Sequence, residues 1–279
     1  MSSTDVQSGV ELVSLAVPGQ AAPLSIYVHG DHDQHVSRQL RESAVWEPYE
    51  SSLLLQVLRP GQVFIDVGAN IGYFSLLAAG VVGPKGRVFA FEPDPANFIL
   101  MQRSIGHNQL SCIEAVNAGL AAQASDAQLY LSEHNLGDHQ IFDAGDARRS
   151  VAISLLNGTD YLVARTNRID LLKIDTQGSE YGVVAGLLPL LQAQAAPCRI
   201  IVELTPRSLR QCGSSGRQLI ELLAQLNQPF WIVDHIEHRL VASDAAELAQ
   251  WCDNVDAVPE DEGFMNIMVG PEPAIIGRQ

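Results

Sequence analysis

Three acidic residues of this sequence follow apolar segments that are typical of buried β-strands. Asp66 lies near the end of the segment that begins at Val63, Glu92 follows the next such segment, and Asp175 closes a later one. The carboxyl ends of parallel strands meet at one edge of an open α/β sheet, where ligands bind. Carboxylates at such an edge can attract a cation, accept hydrogen bonds from hydroxyl groups or take up a proton.

A glycine-containing turn follows Asp66 and leads directly into a helical pattern. The turn has the order Gly68-x-Asn70-x-Gly72, and no third glycine stands where a dinucleotide fingerprint requires one. An acid at this turn would repel a pyrophosphate and attract a cation. S-adenosylmethionine (SAM) carries a sulfonium and an ammonium, so the pattern favours SAM as the cofactor. The alternative is a purely structural turn in an ordinary α/β protein.

The second strand of the pattern ends at Glu92, just before Pro93-Asp94-Pro95. An acid at this place can accept hydrogen bonds from both hydroxyls of a ribose, or it can be a solvated charge at a strand end. Asp94 is suited to N-cap the following helix. Asn117, after the third strand, could bond the edge of an adenine or serve only as a turn residue.

Composition restricts the partners of the protein. The chain has 279 residues, of which 47% are hydrophobic and 18% charged, and its net charge is −15. This charge argues against nucleic acid or an anionic membrane surface as a partner. No apolar run is long enough to span a membrane, and Met1 to Gly9 lack the features of a signal peptide. We expect a cytoplasmic protein without membrane insertion, and four free cysteines.

The periodicity predicts one α/β domain with a mostly parallel sheet and an N-terminal extension. The extension, 1–58, should contain a β-hairpin and two helices, which either cover the crevice or cap the edge of the sheet. A domain of residues 59–270 and a tail of residues 271–279 complete the chain. The predicted elements are a hairpin at 10–17 and 24–29, helices near 34–44 and 48–58, and further extended segments at 111–116, 128–131, 140–142, 151–155, 169–175, 199–204, 229–235 and 264–269.

Four blocks of the sequence resemble the FkbM family of SAM-dependent methyltransferases, and the match runs from about Val36 to Val269. The blocks are Phe64–Phe74 (FIDVGANIGYF), Phe89–Pro93 (FAFEP), Asn135–His139 (NLGDH) and Leu172–Glu180 (LKIDTQGSE).

The resemblance implies a Rossmann-like sheet of seven strands, the last antiparallel, with helices on both faces. It implies a SAM-binding site at Asp66, Gly68, Asn70, Gly72 and Glu92, and O-methylation of a sugar, glycan or natural-product hydroxyl. The segment in which the family often has a serine and an acid near the adenine reads Gly119 to Asp126 here, so the adenine contacts stay open.

Methyl transfer to an alcohol needs a group that removes the hydroxyl proton. Asp175 ends the strand beside the central one and should face the methyl group, and Lys173 lies on the same strand face. His139 lies in the polar loop of the third block and has a suitable ordinary pKa. These three residues are the catalytic candidates.

Asp138, Gln177 and Glu180 are the predicted substrate residues, although Glu180 could instead be an acid that stabilises the first turn of a helix. No spacing in the sequence specifies a site for a divalent metal. We therefore expect no metal at the acids that could converge, which are Asp138, Asp175, Glu180 and Glu203. The expected partner is a small-molecule or glycan hydroxyl acceptor, and a homo-oligomer stays open. The rival functions are an NAD-dependent oxidoreductase and a SAM-binding protein without activity.

Overall fold

The structure is a computed structural model that describes residues 9–20, 22–143, 145, 147–258 and 260–273. The last part of the predicted tail, 274–279, lies outside these residues. Within them the strands are β1 (Glu11–Ser14), β2 (Ser25–Val28), β3 (Val63–Val67), β4 (Arg87–Phe91), β5 (Ile113–Val116), β6 (Gly119–Ala121), β7 (Ser125–Tyr130), β8 (Ser150–Asn157), β9 (Leu171–Ile174), β10 (Arg199–Leu204), β11 (Phe230–Asp234), β12 (Arg239–Ser243) and β13 (Met265–Val269).

The helices connect these strands and cover the sheet. They are α1 (Val36–Ser43), α2 (Pro48–Val57), α3 (Tyr73–Val82), α4 (Pro95–His107), α5 (Gly158–Leu162), α6 (Glu180–Ala193), α7 (Pro206–Gln211), α8 (Gly216–Ala224) and α9 (Ala245–Asp256), with a 3₁₀ turn at Gly83–Lys85. The predictions did not include α5 and α7. With 5 and 6 residues, they are too short to show a helical period.

The main sheet has eight strands in the order β12-β11-β13-β10-β9-β3-β4-β5. Strand β13 runs antiparallel between β10 and β11, while β10, β9, β3, β4 and β5 are parallel to one another. The α/β fold with a mostly parallel sheet and an antiparallel last strand is therefore confirmed. The eighth strand, β12, pairs with β11 as an antiparallel hairpin and extends the expected sheet by one strand.

The central strand β3 is buried at every position, as its apolar sequence predicts. Its two faces point into different parts of the core. Ile65 and Val67 pack with α6 and α8, whereas Phe64 packs with α3 and the N-terminal helices. Helices thus cover both faces of the sheet, and only the strand ends remain open for a ligand.

The N-terminal extension packs directly onto the main sheet. The predicted hairpin and both helices are present, and Ile26, Leu40 and Leu54 share one hydrophobic cluster with Phe64 of β3. The predicted boundary between residues 58 and 59 therefore lies within a chain segment whose two sides share one hydrophobic core. In the described part of the chain, no helix has the length and apolar character needed to cross a bilayer.

A second, three-stranded sheet has the order β6-β8-β7 and lies beside the crevice. The predicted extended segments at 128–131 and 151–155 belong to β7 and β8. The segment 140–142 forms no strand and contributes only a bridge between Gln140 and Tyr130. Leu129 and Leu155 of this sheet are buried.

Gly68 is the position at which the fold of the crevice depends most on the absence of a side chain. Its φ is +81°, and a Cβ atom there would lie 1.8 Å from the carbonyl oxygen of Asp175. We expect Gly68→Ala to lower the free energy of unfolding by more than the roughly 1–2 kcal/mol of a left-handed alanine, because β3 and β9 must also separate. Denaturant unfolding measures this loss.

Gly61→Ala is the matched control, because Gly61 has a φ of +79° and open space around its Cβ position. It should cost only the backbone term of about 1–2 kcal/mol. Equal destabilisation by the two substitutions would show that the contact with Asp175 has no energetic weight.

Candidate active site

A single crevice opens where the carboxyl ends of β3, β4, β9 and β10 meet. Its cavity volume is about 200 Å³. Its lining includes the glycine turn and Glu92, together with Lys173, Asp175, Gln177 and Glu203 from the neighbouring strand ends. Trp46 and Glu47 of the N-terminal extension line it as well. The crevice is therefore built from two distant parts of the chain.

The turn after β3 is held in left-handed conformations. Gly68, Asn70 and Gly72 have φ values of +81°, +52° and +92°. The backbone N–H groups of Gly68 and Ala69 both donate to the carbonyl oxygen of Phe91, each at 3.0 Å, so the turn is bound to the end of β4. Gly68 and Asn70 line the crevice, whereas Gly72 does not.

Asn70 connects this turn to the loop that carries the block Asn135–His139. Its Nδ2 donates to the carbonyl oxygen of Leu136 at 2.9 Å, and its Oδ1 accepts from the N–H of Ile71 at 2.7 Å. The same carbonyl oxygen accepts from Asn97 at 3.1 Å. The loop therefore covers the glycine turn and forms one wall of the crevice.

Glu92 lies at the end of β4 and is 5% exposed. Its Oε2 accepts from the N–H of Asn70 at 2.7 Å, and its Oε1 accepts from the N–H of Asp94 at 2.8 Å. A carboxylate has about four acceptor positions, so two remain for a ligand. This arrangement suits the two hydroxyls of a ribose. Burial raises the pKa of Glu92 to about 8.

Asp66 does not line the crevice, in contrast to the expectation that its charge meets the cofactor directly. It is 1% exposed and accepts a hydrogen bond of 2.6 Å from the hydroxyl of Ser75 on α3. Burial raises the pKa of Asp66 to about 6, and Lys173 on the neighbouring strand opposes this shift. Asp66 is thus buried behind the crevice lining.

Asn117 also lies outside this crevice. Its amide donates to the backbone carbonyl oxygens of Glu92 and Pro93, as a turn asparagine does. The crevice wall near the predicted adenine position is apolar instead and includes Leu120, Leu129 and Leu155. Alternation of apolar residues along β7 and β8 was the only sequence signal for this wall.

Asp175 accepts hydrogen bonds from two side chains at the end of β9. Lys173 Nζ donates to its Oδ2 at 2.9 Å, and Gln177 Nε2 donates to its Oδ1 at 2.8 Å. The same Gln177 nitrogen donates to Glu203 Oε2 at 3.0 Å. Burial disfavours the charge of Asp175, but Lys173 outweighs this effect, and the pKa of Asp175 lies below its usual value. Asp175 is therefore an ionised group at pH 7.

Lys173 is a buried ammonium among carboxyl groups. Besides Asp175, it lies 3.9 Å from Glu50 and 4.6 Å from the ring centre of Phe74. Burial opposes its charge, yet Asp175, Glu47 and Glu50 together keep the pKa of Lys173 well above its ordinary value. Lys173 is thus a fixed positive charge and does not serve as a base.

Glu47 and Glu203 are further acids of this crevice. The sequence indicated Glu203 only as a weaker candidate and gave no indication of Glu47. Glu203 lies within β10 and also accepts from the hydroxyl of Thr205 at 2.9 Å. Burial and the adjacent Asp175 raise the pKa of Glu203 well above its usual value. Of these two neighbouring carboxyl groups, Asp175 is therefore the one whose charged form is favoured.

His139 lines the crevice, but its ring nitrogens are directed elsewhere. Its Nδ1 accepts from the backbone N–H of Ser132 at 3.1 Å, so the neutral ring carries its proton on Nε2. Nε2 lies 4.0 Å from Asp94 Oδ2. Burial lowers the pKa of His139. This geometry leaves no free lone pair that could take a proton from an acceptor.

Asp138 and Glu180 lie outside the crevice lining and serve local contacts. Asp138 pairs with Arg148 at 2.9 Å, and Glu180, 2% exposed, accepts from the backbone N–H groups of Thr176 and Gly178. Glu180 therefore stabilises the turn before α6. Among the residues that the structure describes, no three His, Cys, Asp or Glu side chains are grouped to hold a metal ion.

The strand order, the glycine turn and the carboxylate at the end of β4 together define a class I SAM-dependent methyltransferase fold with its cofactor crevice. Glu92 and the apolar wall fit the ribose and adenine of SAM. The model of the family described as "Methyltransferase FkbM domain" matches residues 66–230, more than half of the chain. The chain belongs to this family, and SAM is its cofactor.

Individual relatives share only about 30% or less of their residues with this chain in the aligned parts. The chain is 27% identical over 143 residues to Methyltransferase 1 of Beauveria bassiana (strain ARSEF 2860), a match that covers 44% of this chain and 57% of the relative. It is 30% identical over 159 residues to 31-O-demethyl-FK506 methyltransferase FkbM of Streptomyces tacrolimicus, with 47% and 61% covered. The matches thus span about three fifths of the relatives' own length.

Among solved structures, methyltransferase FkbM from Methylobacillus flagellatus KT aligns with a TM-score of 0.44 and 14% identity. The alignment covers 80% of this chain and 51% of that chain.

Lys173→Met should lower the free energy of unfolding at pH 8 by about 3–5 kcal/mol, because it leaves buried carboxylates without their counter-charge. The loss should be smaller at pH 5, where carboxyl groups with raised pKa values, such as Asp66, are protonated in the folded state. Denaturant unfolding at the two pH values measures both effects.

Lys85→Met is the matched control, since Lys85 is exposed at the other end of α3. It should change the free energy of unfolding by no more than about 0.5 kcal/mol. A Lys173→Met loss that does not depend on pH would contradict the assigned charge network.

Binding of S-adenosylhomocysteine should release a proton near pH 7.5. The pKa of Glu92 in the free protein is about 8, and two donating hydroxyls favour its ionised form, so binding lowers this pKa. The affinity should accordingly rise with pH up to about 8. Calorimetry in buffers of small and large ionisation enthalpy measures the number of protons released.

The Glu92→Gln variant should bind S-adenosylhomocysteine more weakly, and this binding should release no proton from residue 92. Proton uptake by the wild-type protein, or an unchanged release in Glu92→Gln, would show that Glu92 does not bind the ribose.

Proposed function

We propose that this protein transfers the methyl group of SAM to a hydroxyl of a sugar, glycan or natural product. The observation that carries the proposal is Asp175, an ionised carboxylate held by Lys173 and Gln177 where β9 ends in the cofactor crevice. Bound SAM supplies a methyl group that is already activated by the sulfonium. The protein's own residues must then orient the acceptor and receive its proton.

Asp175 suits the removal of this proton even though its pKa is low. The hydroxyl of an alcohol becomes strongly acidic only as the new C–O bond forms, so an ionised carboxylate can accept the proton at that stage. The contacts from Lys173 and Gln177 keep Asp175 in one orientation, and such positioning contributes to rate. Glu203 accepts a hydrogen bond from the same Gln177 amide and so helps to fix the orientation of that amide.

Two further facts support a hydroxyl acceptor. The relative from Streptomyces tacrolimicus is named for methylation at an oxygen of FK506. The half-buried Trp46 in the crevice wall offers an aromatic face to a ring-shaped acceptor. Family membership argues against the NAD-dependent alternative. The two hydrogen bonds that hold Asp175 argue against a binding protein without activity.

Asp175→Asn should lower turnover about 10²–10⁴-fold, the usual contribution of a general base. Its affinity for S-adenosylhomocysteine should change far less, because the ribose-binding Glu92 is untouched. The measurement is transfer of labelled methyl from SAM into a panel of sugars and polyhydroxylated natural products, with the methylated atom identified by mass spectrometry and NMR.

Asp160→Asn is the control, because it makes the same chemical change at a residue that is exposed on α5. It should keep the wild-type rate. Methylation at nitrogen or carbon, or a wild-type rate in Asp175→Asn, would contradict the proposal.

A further inference from the structure

Glu47 reaches the crevice from a part of the chain that the family model does not include. It precedes α2 at the N-cap position, whereas the family match begins at residue 66. Its backbone has φ 41° and ψ 72°, a left-handed conformation that is uncommon for a residue other than glycine. Such a conformation costs free energy and is often retained at functional sites. Here it directs the side chain to the crevice lining, beside Trp46.

The carboxyl group of Glu47 has an unused acceptor. Its Oε2 is buried and receives no hydrogen bond from a donor of the described residues, and the same holds for Oε2 of Glu50 in the first turn of α2. The carboxyl group of Glu50 is near enough to form a hydrogen bond with that of Glu47 when one of them holds a proton. Burial, and then the proximity of Glu50, raise the pKa of Glu47 well above its usual value. A buried polar atom without a partner costs free energy, so this atom is suited to receive a donor from a ligand.

The charges of the crevice determine what kind of donor fits. Its described lining contains four carboxyl groups, those of Glu47, Glu92, Asp175 and Glu203, and one ammonium, that of Lys173. Lys173 already contacts Asp175 at 2.9 Å. An anionic acceptor would therefore find no free ammonium or guanidinium group in this described lining. A cation would allow Glu47 to ionise and would gain its attraction.

We propose that Glu47 binds a positively charged group of the acceptor, so that the acceptor is an alcohol that also carries a protonated amine. The inference rests on the proposed function, because it assigns Glu47 to the acceptor side of the same crevice. The aromatic face of Trp46 beside Glu47 suits an ammonium as well. The N-terminal extension thereby contributes to acceptor choice.

Sinefungin tests this inference without knowledge of the acceptor. It is an analogue of SAM in which a carbon bearing an ammonium replaces the methylated sulfonium, so its charge points where the transferred methyl group would go. S-adenosylhomocysteine has the same adenosine and amino-acid parts but lacks that charge. The ratio of the two dissociation constants, measured by calorimetry at pH 7.5, therefore reports on a carboxylate near the transfer point.

Wild-type protein should bind sinefungin at least about tenfold more tightly than S-adenosylhomocysteine, as expected for a charged hydrogen bond. Glu47→Gln should remove most of this preference and leave the affinity for S-adenosylhomocysteine within about twofold. Glu47→Gly should behave in the same way. Glycine favours the left-handed conformation, so this variant relieves strain and should fold.

Glu42→Gln is the matched control from the same extension, because Glu42 is exposed on α1 and the substitution makes the same change in net charge. It should keep the wild-type ratio. A ratio that is unchanged in Glu47→Gln, with S-adenosylhomocysteine still bound, overturns the inference and leaves the proposed function intact. Failure of the wild-type protein to bind S-adenosylhomocysteine overturns both.

Discussion

The buried ammonium of Lys173 is the interaction on which the open edge of this sheet depends. It contacts Asp175 at the end of its own strand and lies 3.9 Å from Glu50 on α2. It is also paired in register with Asp66 on β3. Buried carboxylates are stable only with a counter-charge or a proton, and this one cation serves several of them. It therefore decides which carboxyl groups of the crevice remain ionised.

This distribution of charge divides the acids of the crevice into two kinds. Asp175 lies next to the ammonium, which keeps its pKa low, whereas burial raises the pKa values of Glu203 and Glu47. Glu50 is fixed between Lys173 and Asn266 of β13, so α2 is attached to the sheet by polar contacts as well as by its apolar face. The N-terminal extension is consequently part of the catalytic edge and not an accessory to it.

The sequence predicted the α/β sheet, the glycine turn, and the positions of Glu92 and Asp175, because these follow from periodicity and from the rule that strand ends meet at one edge. It did not predict the contribution of Glu47, since the packing of α2 against the sheet depends on contacts between distant segments. It also assigned Asp66 and Glu180 to ligands. Both are instead satisfied by short-range partners, Ser75 and the turn before α6, whose geometry depends on side-chain burial that no spacing reveals.

The hydrogen bonds at the carbonyl oxygen of Leu136 have a consequence for how the chain folds. This oxygen joins Asn70 and Asn97, and Asn97 in turn lies 2.7 Å from the ring of His29, so the first hairpin, the cofactor turn and the covering loop meet at one point. The bonded residues are 39 to 68 positions apart in sequence. Contacts of such separation form slowly, because closing long loops costs entropy before any bond is gained. The crevice can therefore close only after these three segments have met, and a chain synthesised only to about residue 135 would have β3 and β4 but neither the covering loop nor β9.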